Sequence, residues 1–414
     1  MSHAVLGRVV RTASALIAVS SAVLGAAVAN AEPAAAGPGR FVSHQVRILD
    51  TRNGIGGYTT PLTANVARTL TVGGTNGVPA TGVSAVSVTV TVVGTPGVGT
   101  IVVAPGDATT FHNGASMVYN GGESLSNTAV VGIDSAGRIA FVSDHTGVNL
   151  ILDLQGYFTT DAGSGAGYVP ITTARVVDTR SGVGIPAGRV PNGGTLTVTP
   201  GTHIELPASA TAIYASIVVL DQAANGWIST YATGSPPTGS YSLDFDKGGP
   251  NSVATTIPLN SAGQFDLRVA VGGPADILVD VEGYFDSNAA GATFTPAQSR
   301  RYDSRQSPNT AIAAGATRTI TIGGTGNIPA QTGAVALDVT TASATGTTNG
   351  YLTFWTPGQT EPAPSSMNFD SANFFRASLI LVTPDSSGRI NVHNHSSGPI
   401  NIVLDAEGWF ASVP

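Results

Sequence analysis

The sequence of 414 residues has no cysteine, one lysine and few charged side chains overall. The absence of cysteine excludes disulfides, thiolate metal sites and thiol nucleophiles. Charged residues make up 10% of the chain, the formal net charge is −7, and Lys247 is the only lysine. Nucleic acids and anionic lipids are bound by clustered basic side chains, which are missing here. We therefore expect no nucleic-acid partner and no membrane insertion of the mature chain.

Long apolar runs are also missing beyond residue 29. Each later run is interrupted within about ten residues by glycine, threonine or aspartate, which is too short for a spanning helix. The single long run covers residues 13–29, follows Arg8 and Arg11, and ends in a small-x-small cleavage pattern. A membrane anchor is the alternative, but the run contains serines and is short. Residues 1–31 are thus predicted to be a signal peptide of a secreted, extracellular or envelope-associated protein.

Glycine and proline are abundant, at 52 and 25 residues, which is typical of a chain with many turns. One apolar strand with a single aspartate occurs three times, at residues 150–158, 277–285 and 402–410. Each copy ends on glycine followed by two aromatic residues. The copies lie about 125 residues apart, so the repeating unit is the size of a domain.

Short strands with alternating apolar and polar residues fill each repeat. Residues 86–92, 213–219 and 335–339 show this period of two, which is typical of a half-buried strand. With about eight such strands per repeat and no helical period, we predict an all-β protein of three tandem β-sandwich or jelly-roll-like domains. The predicted organisation is a disordered linker (32–39), domain 1 (40–158), a linker (159–167), domain 2 (168–285), a linker (286–292) and domain 3 (293–414).

Three motifs recur in a fixed order in the repeats. The first repeat has Asp50-Thr51-Arg52, then Val78-Pro79-Ala80, and then an aspartate followed by Gly156-Tyr157-Phe158. This order resembles a tandem repeat of secreted and cell-surface proteins of high-GC Gram-positive bacteria. The resemblance implies an exported, non-catalytic β-module that attaches to the cell wall or to carbohydrate. The third repeat departs most from the pattern, with Ser304 for threonine and Trp409 for tyrosine.

The repeated charges form the first candidate site. An aspartate in an apolar strand needs a partner that offsets its desolvation, and a guanidinium can bind both carboxylate oxygens. An arginine follows two residues after each opening aspartate. We therefore predict a structural Arg–Asp clamp between the first and last strands of each domain, with a ligand role as the alternative. The predicted pairs are Arg52 with Asp153, Arg180 with Asp280, and Arg305 with Asp405.

The same carboxylates allow a weaker, catalytic interpretation. Glycoside hydrolysis requires two carboxylates beside an open cleft, and Asp50 and Asp153 satisfy this only if the fold exposes them together. The sequence has neither a Gly-x-Ser-x-Gly nor a His-Glu-x-x-His motif. Three identical catalytic modules in one chain would also be unusual. We predict that the protein is not an enzyme and uses no cofactor.

Metal sites receive little support from the sequence. His393 and His395 lie two apart and would share one face of a strand, but no third ligand is indicated and the other repeats lack the pair. Asp244-Phe245-Asp246 supplies too few oxygen ligands for calcium. No metal is therefore predicted.

Aromatic pairs give the best ligand hypothesis. Trp227 and Tyr231 lie four apart on one strand, as do Tyr351 and Trp355, so each pair faces one side of its sheet. Exposed pairs could stack on sugar rings or hold a protein partner, whereas buried pairs would belong to the core.

Together these patterns predict a structural or adhesive protein of the cell envelope. Its expected partner is cell-wall polysaccharide or a surface protein. An inert extracellular scaffold and a glycan-active hydrolase with paired aspartates are the alternatives. Exposed tryptophan pairs favour the binding protein, and an open cleft with two unpaired carboxylates favours the hydrolase.

Overall fold

The computed structural model describes residues 37–111, 114–161, 163–271, 273–289, 292–343, 349–369 and 375–412. The predicted signal peptide and residues 32–36 of the predicted linker lie outside the described residues. Within those ranges every regular element is a β-strand, apart from a short 3-10 helix at Pro200–Thr202. No helix there is long and apolar enough to cross a membrane. The all-β prediction is confirmed.

In the described ranges, each repeat contributes eight strands. Those of the first repeat are β1 (Arg40–Asp50), β2 (Arg68–Thr71), β3 (Val83–Val93), β4 (Gly99–Pro105), β5 (Met117–Tyr119), β6 (Ser124–Gly132), β7 (Arg138–Ser143) and β8 (Asn149–Thr159). Those of the second are β9 (Gly167–Asp178), β10 (Thr195–Val198), β11 (Ala210–Leu220), β12 (Gly226–Ala232), β13 (Leu243–Phe245), β14 (Asn251–Pro258), β15 (Phe265–Val271) and β16 (Asp276–Asp286). Those of the third are β17 (Phe294–Asp303), β18 (Thr317–Thr321), β19 (Ala334–Ser343), β20 (Gly350–Trp355), β21 (Met367–Phe369), β22 (Phe375–Val382), β23 (Arg389–Asn394) and β24 (Ile400–Phe410).

The strands of each repeat form two four-stranded antiparallel sheets with one order in all three repeats. In the first repeat the orders are β1-β8-β3-β6 and β2-β7-β4-β5. The closing strand β8 therefore lies between β1 and β3, and its aspartate Asp153 faces Arg47 and Thr89 on these neighbours. Alternation along β3 puts Val88 and Val90 into the apolar core between the two sheets of the repeat.

A separate aromatic cluster joins all three repeats. It receives the second aromatic residue of each closing motif and one aromatic residue from each opening strand. Its rings are those of Phe41, Phe158, Tyr168, Phe285, Phe294 and Phe410, together with Tyr214 of β11. Phe41 stacks on Phe285 with ring centroids 4.4 Å apart, and Phe158 lies 4.6 Å from Phe294, so rings of different repeats are in direct contact. The first aromatic residue of the motif packs instead on the core of its own repeat.

The glycine of the closing motif is required by the opening strand beside it. The aromatic ring of that strand lies directly over the glycine, and a Cβ atom at the glycine would overlap the ring. The overlapping pairs are Gly156 with Phe41, Gly283 with Tyr168, and Gly408 with Phe294. The closing motif therefore combines a close approach to the opening strand with an anchor in the shared aromatic cluster.

The prediction of three tandem sandwich domains is wrong. The six four-stranded sheets form one closed, propeller-like ring of six blades, and residues 33–414 make a single compact unit. Each repeat supplies two blades, which face each other across that repeat's own core. Strand β13 of the second repeat packs on β6 of the first, β21 of the third on β14 of the second, and β5 of the first on β22 of the third. The sequence predicted separate domains because alternation of apolar and polar residues identifies strands but does not show which sheet faces of neighbouring repeats pack together.

A substitution in the aromatic cluster tests the shared core. Phe285→Ala removes a ring that is 2% exposed and contacts Phe41 of another repeat. We expect the free energy of unfolding to fall by about 3–5 kcal/mol, because a large cavity is left in a packed core. Denaturant unfolding followed by tryptophan fluorescence and by circular dichroism measures this change.

The matched control is Val66→Ala, at a side chain that is 50% exposed in the first repeat. Its effect on stability should lie within about 0.5 kcal/mol. Unfolding of the second repeat alone in Phe285→Ala, with the rest of the chain unaffected, would contradict a core shared by all three repeats.

Candidate functional site

Polar side chains line the interfaces between neighbouring repeats. On the first repeat, Thr89 and Gln155 point away from the repeat's own core, yet both are buried. The second repeat covers them and supplies backbone donors to this face: Tyr241 N donates to Asp153 Oδ2 at 3.0 Å and Thr256 N to Gln155 Oε1 at 3.2 Å. The polar faces of these strands therefore meet the next repeat rather than solvent.

The predicted clamp between Arg52 and Asp153 is not formed. Arg47 binds Asp153 instead, with its Nε and Nη2 donating to the two carboxylate oxygens at 2.8 and 2.9 Å. Arg52 binds Asp50 in the turn after β1, at 2.9 and 2.8 Å. The strand register is the reason: Arg47 lies opposite Asp153, whereas Arg52 lies beyond the end of β1.

In the other two repeats, too, the closing aspartate binds a different arginine from the predicted one. Arg175 binds Asp280 at 2.8 and 2.9 Å, and Arg300 binds Asp405 at 2.9 and 3.0 Å. Arg180 and Arg305 bind the opening aspartates Asp178 and Asp303. The first and last strands are joined by an Arg–Asp pair, as predicted, but through a different arginine. An arginine three residues before each opening aspartate was the sequence signal for this pairing.

The catalytic interpretation of Asp50 and Asp153 has no matching geometry. Both carboxylates are buried and both lie against Arg47. In the second repeat, hydrogen bonds from Arg180 lower the pKa of Asp178 to about 2, although desolvation opposes them. Desolvation raises the pKa of Asp280, and Arg175 opposes that shift. None of these carboxylates lies unpaired beside open solvent.

The predicted aromatic pairs do not form exposed platforms. Tyr231 is 7% exposed and Trp355 is 9% exposed, so one member of each pair is buried. Trp227 is half-buried and stacks on Tyr241, with ring centroids 4.4 Å apart. The Arg47 guanidinium lies 4.7 Å from the Tyr241 ring centroid on the neighbouring repeat. Trp227 and Tyr241 therefore fill the interface between the first and second repeats.

The corresponding place between the second and third repeats is open. Tyr351 takes the position of Trp227, and Ser365 takes that of Tyr241. Without the Tyr241 ring a cleft of about 410 Å³ remains there. Its walls include Arg175 and Arg180 of the second repeat and Tyr351, Ser365, Asn368 and His395 of the third. This cleft, the 2–3 cleft, is the candidate site.

The arginines of the 2–3 cleft are more accessible than their counterparts in the first repeat and about as accessible as those in the third. The Arg175 side chain is 29% exposed, against 10% for Arg47 under Tyr241, and Arg180 is 47% exposed. Arg175 and Arg180 each bind Asp178, and Arg175 also binds Asp280. The two guanidinium groups on this wall are thus held in place by two buried carboxylates.

Comparison with known proteins gives the chain no family. No protein-family model and no curated protein matches it. A structure described as "The Triple Jelly Roll Fold and Turret Assembly in an Archaeal Virus" is 13% identical, with 91% of each chain covered and a TM-score of 0.19. The tandem CBM22-1-CBM22-2 domain of Paenibacillus barcinonensis Xyn10C is 12% identical, with 58% of this chain and 93% of that chain covered and a TM-score of 0.15. Similarity this low carries no argument about fold or function.

The histidine pair considered in the sequence has a third neighbour after all. Glu361, in the segment between β20 and β21, lies beside both His393 and His395. The three side chains are partly buried at the side of the third repeat that carries the 2–3 cleft, and His395 lines that cleft. Asp244 and Asp246 lie at a different interface, where Ser126 and Ser124 of the first repeat contact them.

A buried contact missed in the sequence recurs at all three interfaces. The residue two positions after each closing aspartate accepts a hydrogen bond from the backbone of the next repeat. The pairs are Gln155 with Thr256 N at 3.2 Å, Glu282 with Leu381 N at 3.3 Å, and Glu407 with Val130 N at 2.6 Å. The recurrence of glutamine or glutamate before the motif glycine was the signal.

Burial shifts the pKa of both glutamates of this contact upward. Burial raises the pKa of Glu282 to about 8, and the hydrogen bond from Leu381 opposes this shift only in part. Among the described residues, nothing donates to its Oε1 atom. Burial also raises the pKa of Glu407, and the nearby Asp338 adds to the shift. A carboxyl that is neutral when folded avoids the cost of a buried charge.

Stability should therefore fall as the pH rises. Between the ordinary pKa of 4.5 for Glu282 and its folded value of about 8, the unfolded chain releases a proton that the folded chain retains. At pH 8 the loss from this one group is on the order of 4 kcal/mol. Glu282→Gln, which introduces the side chain that Gln155 has at this position in the first repeat, should reduce this loss of stability. Denaturant unfolding from pH 5 to 8 measures it.

Glu205→Gln, at an exposed position of the same repeat, is the control and should leave the pH profile unchanged. A Glu282→Gln variant that loses as much stability between pH 5 and 8 as the parent would contradict a proton held by Glu282.

Proposed function

We propose that the protein is a secreted, non-catalytic binding protein of the cell envelope that holds a saccharide in the 2–3 cleft. The single observation that carries the proposal is a difference between two interfaces: aromatic rings fill the one between the first and second repeats, and a cleft occupies the one between the second and third. The same interface position is filled by Trp227 and Tyr241 in one place and is open beside Tyr351 and Ser365 in the other. A volume of about 410 Å³ is within the range of small-molecule sites, about 300–1,000 Å³.

The side chains of the cleft suit a ligand that carries many hydroxyl groups. Tyr351 supplies an aromatic surface, and Arg180 supplies a planar fork of donors. Ser365 and Asn368, which are hydrogen-bonded to each other at 2.9 Å, add donor and acceptor capacity on the opposite repeat. A sugar ring presents the same combination of an apolar face and a polar edge.

The charge balance favours a neutral saccharide over a polyanion. Arg175 and Arg180 are both paired with carboxylates behind the wall, so their positive charges are largely compensated. The low pKa of Asp178 leaves it without the proton that a general acid needs. These features support binding without hydrolysis, and binding that depends weakly on salt.

Two variants test the cleft against purified cell-wall polysaccharide and soluble peptidoglycan fragments. Ser365→Tyr places an aromatic ring where Tyr241 closes the equivalent interface, and we expect it to abolish binding without unfolding the chain. Arg180→Ala should weaken binding at least tenfold, because a hydrogen bond from a charged group contributes about 1.5–3 kcal/mol. Calorimetric titration with the saccharide, at two salt concentrations, measures both effects.

Arg52→Ala is the matched control for Arg180→Ala. It removes the same Arg–Asp contact at an interface closed by Tyr241, so it should reproduce any loss of stability and retain binding. Binding that survives Ser365→Tyr would place the ligand elsewhere on the protein. No binding to either glycan would leave an extracellular scaffold or a protein-binding role.

A further inference from the structure

Glu361, His393 and His395 bring four potential metal-ligating atoms together. His393 Nδ1 lies 2.9 Å from Glu361 Oε2, and His395 Nε2 lies 2.6 Å from Glu361 Oε1. One ligand atom from each residue lies within 4.8 Å of the others. We propose that these three residues form a zinc site with two imidazole ligands and one carboxylate ligand. The proposal shares His395 with the wall of the 2–3 cleft but does not depend on saccharide binding.

The arrangement of the two imidazole rings supports a shared cation. The rings stack with centroids 3.8 Å apart and an angle of 29° between them, and both turn a nitrogen atom toward one carboxylate. A divalent cation between the two imidazoles and the carboxylate would use all three groups as ligands.

The ligand set selects among metals. Calcium and magnesium take oxygen ligands, whereas imidazole nitrogen is a ligand for zinc and neighbouring transition metals. Ligand atoms of a tetrahedral zinc site lie about 3.4 Å apart, given bonds of about 2.1 Å. The present spacing requires only small rotations of side chains that are 20–29% exposed. Three protein ligands leave a fourth position for water or another donor.

The surroundings fix one of the ligands in place. His395 stacks on Tyr351 with ring centroids 4.3 Å apart and an angle of 14°. The backbone N–H of His395 donates to Tyr351 O at 3.0 Å, and His393 lies in β23 between β18 and β20. One ligand therefore lies in a strand, the second directly follows that strand, and the third, Glu361, comes from the adjoining loop. Zinc would tie that loop to the sheet.

The other repeats lack these ligands at the same positions. Strand register puts Val142 and Asp144 of the first repeat, and Arg268 and Ala270 of the second, where His393 and His395 lie in the third. The β-fold therefore does not need these histidines. Neither histidine belongs to the repeat core, to which β23 contributes Ile390 and Val392. The first and second repeats thus show which residues can replace the two histidines without loss of the fold.

Titration of the full chain with zinc chloride, after dialysis against a chelator, tests the site. We expect one zinc ion per chain by calorimetry and by elemental analysis, and a zinc-dependent rise in melting temperature. The double variant His393→Val, His395→Ala takes its residues from Val142 and Ala270 and should lose at least 100-fold in affinity. Glu361→Gln, which keeps the shape of the side chain, should lose at least tenfold.

His203→Ala, at an exposed histidine of the second repeat, is the control and should retain full zinc binding. Circular dichroism and gel filtration establish that each variant is folded. Absence of stoichiometric zinc in the parent chain would overturn the proposal. An unchanged affinity in the folded double variant would overturn it equally, since zinc would then lie at other residues.

Discussion

The contact between the closing-strand glycine and an aromatic ring of the opening strand is the constraint on which the rest depends. Because Gly156 has no side chain, Phe41 can lie directly over the closing strand, and Phe158 then reaches the rings of other repeats. The same geometry occurs at Gly283 and Gly408. Three copies of one local contact thus create a shared aromatic cluster, and that cluster converts three repeats into a single unit.

When the repeats pack together, polar strand faces become buried, and each interface must supply hydrogen-bond partners for the polar groups on them. Backbone donors of one repeat meet carboxylate or amide acceptors of the next, as Leu381 N meets Glu282 and Thr256 N meets Gln155. Glutamine satisfies this contact without a titratable group, whereas glutamate in the same place must keep its proton or carry a buried charge. Cohesion between the repeats is therefore linked to pH through a few buried side chains.

Differences between the repeats matter as much as their similarity. Serine in place of the Tyr241 ring opens a cleft at one interface, and histidines in place of Val142 and Asp144 gather around Glu361 in one repeat. Neither change disturbs the strand order, which is common to all three repeats. A repeated fold can thus carry a different site at each interface, because the sheets hold the positions while the outer side chains vary.

The sequence by itself determined the repeat length, the β-structure, the strand pattern and the pairing of a buried aspartate with an arginine. These depend on local periodicity and on the cost of an unpaired buried charge. Only the tertiary structure decided that Arg47, and not Arg52, faces Asp153, because strand register sets that contact. It also decided that polar faces meet in a ring, that Tyr241 fills one interface, and that Glu361 joins His393 and His395. Such contacts connect residues far apart in the chain, and their geometry is fixed by packing between sheets rather than by sequence spacing.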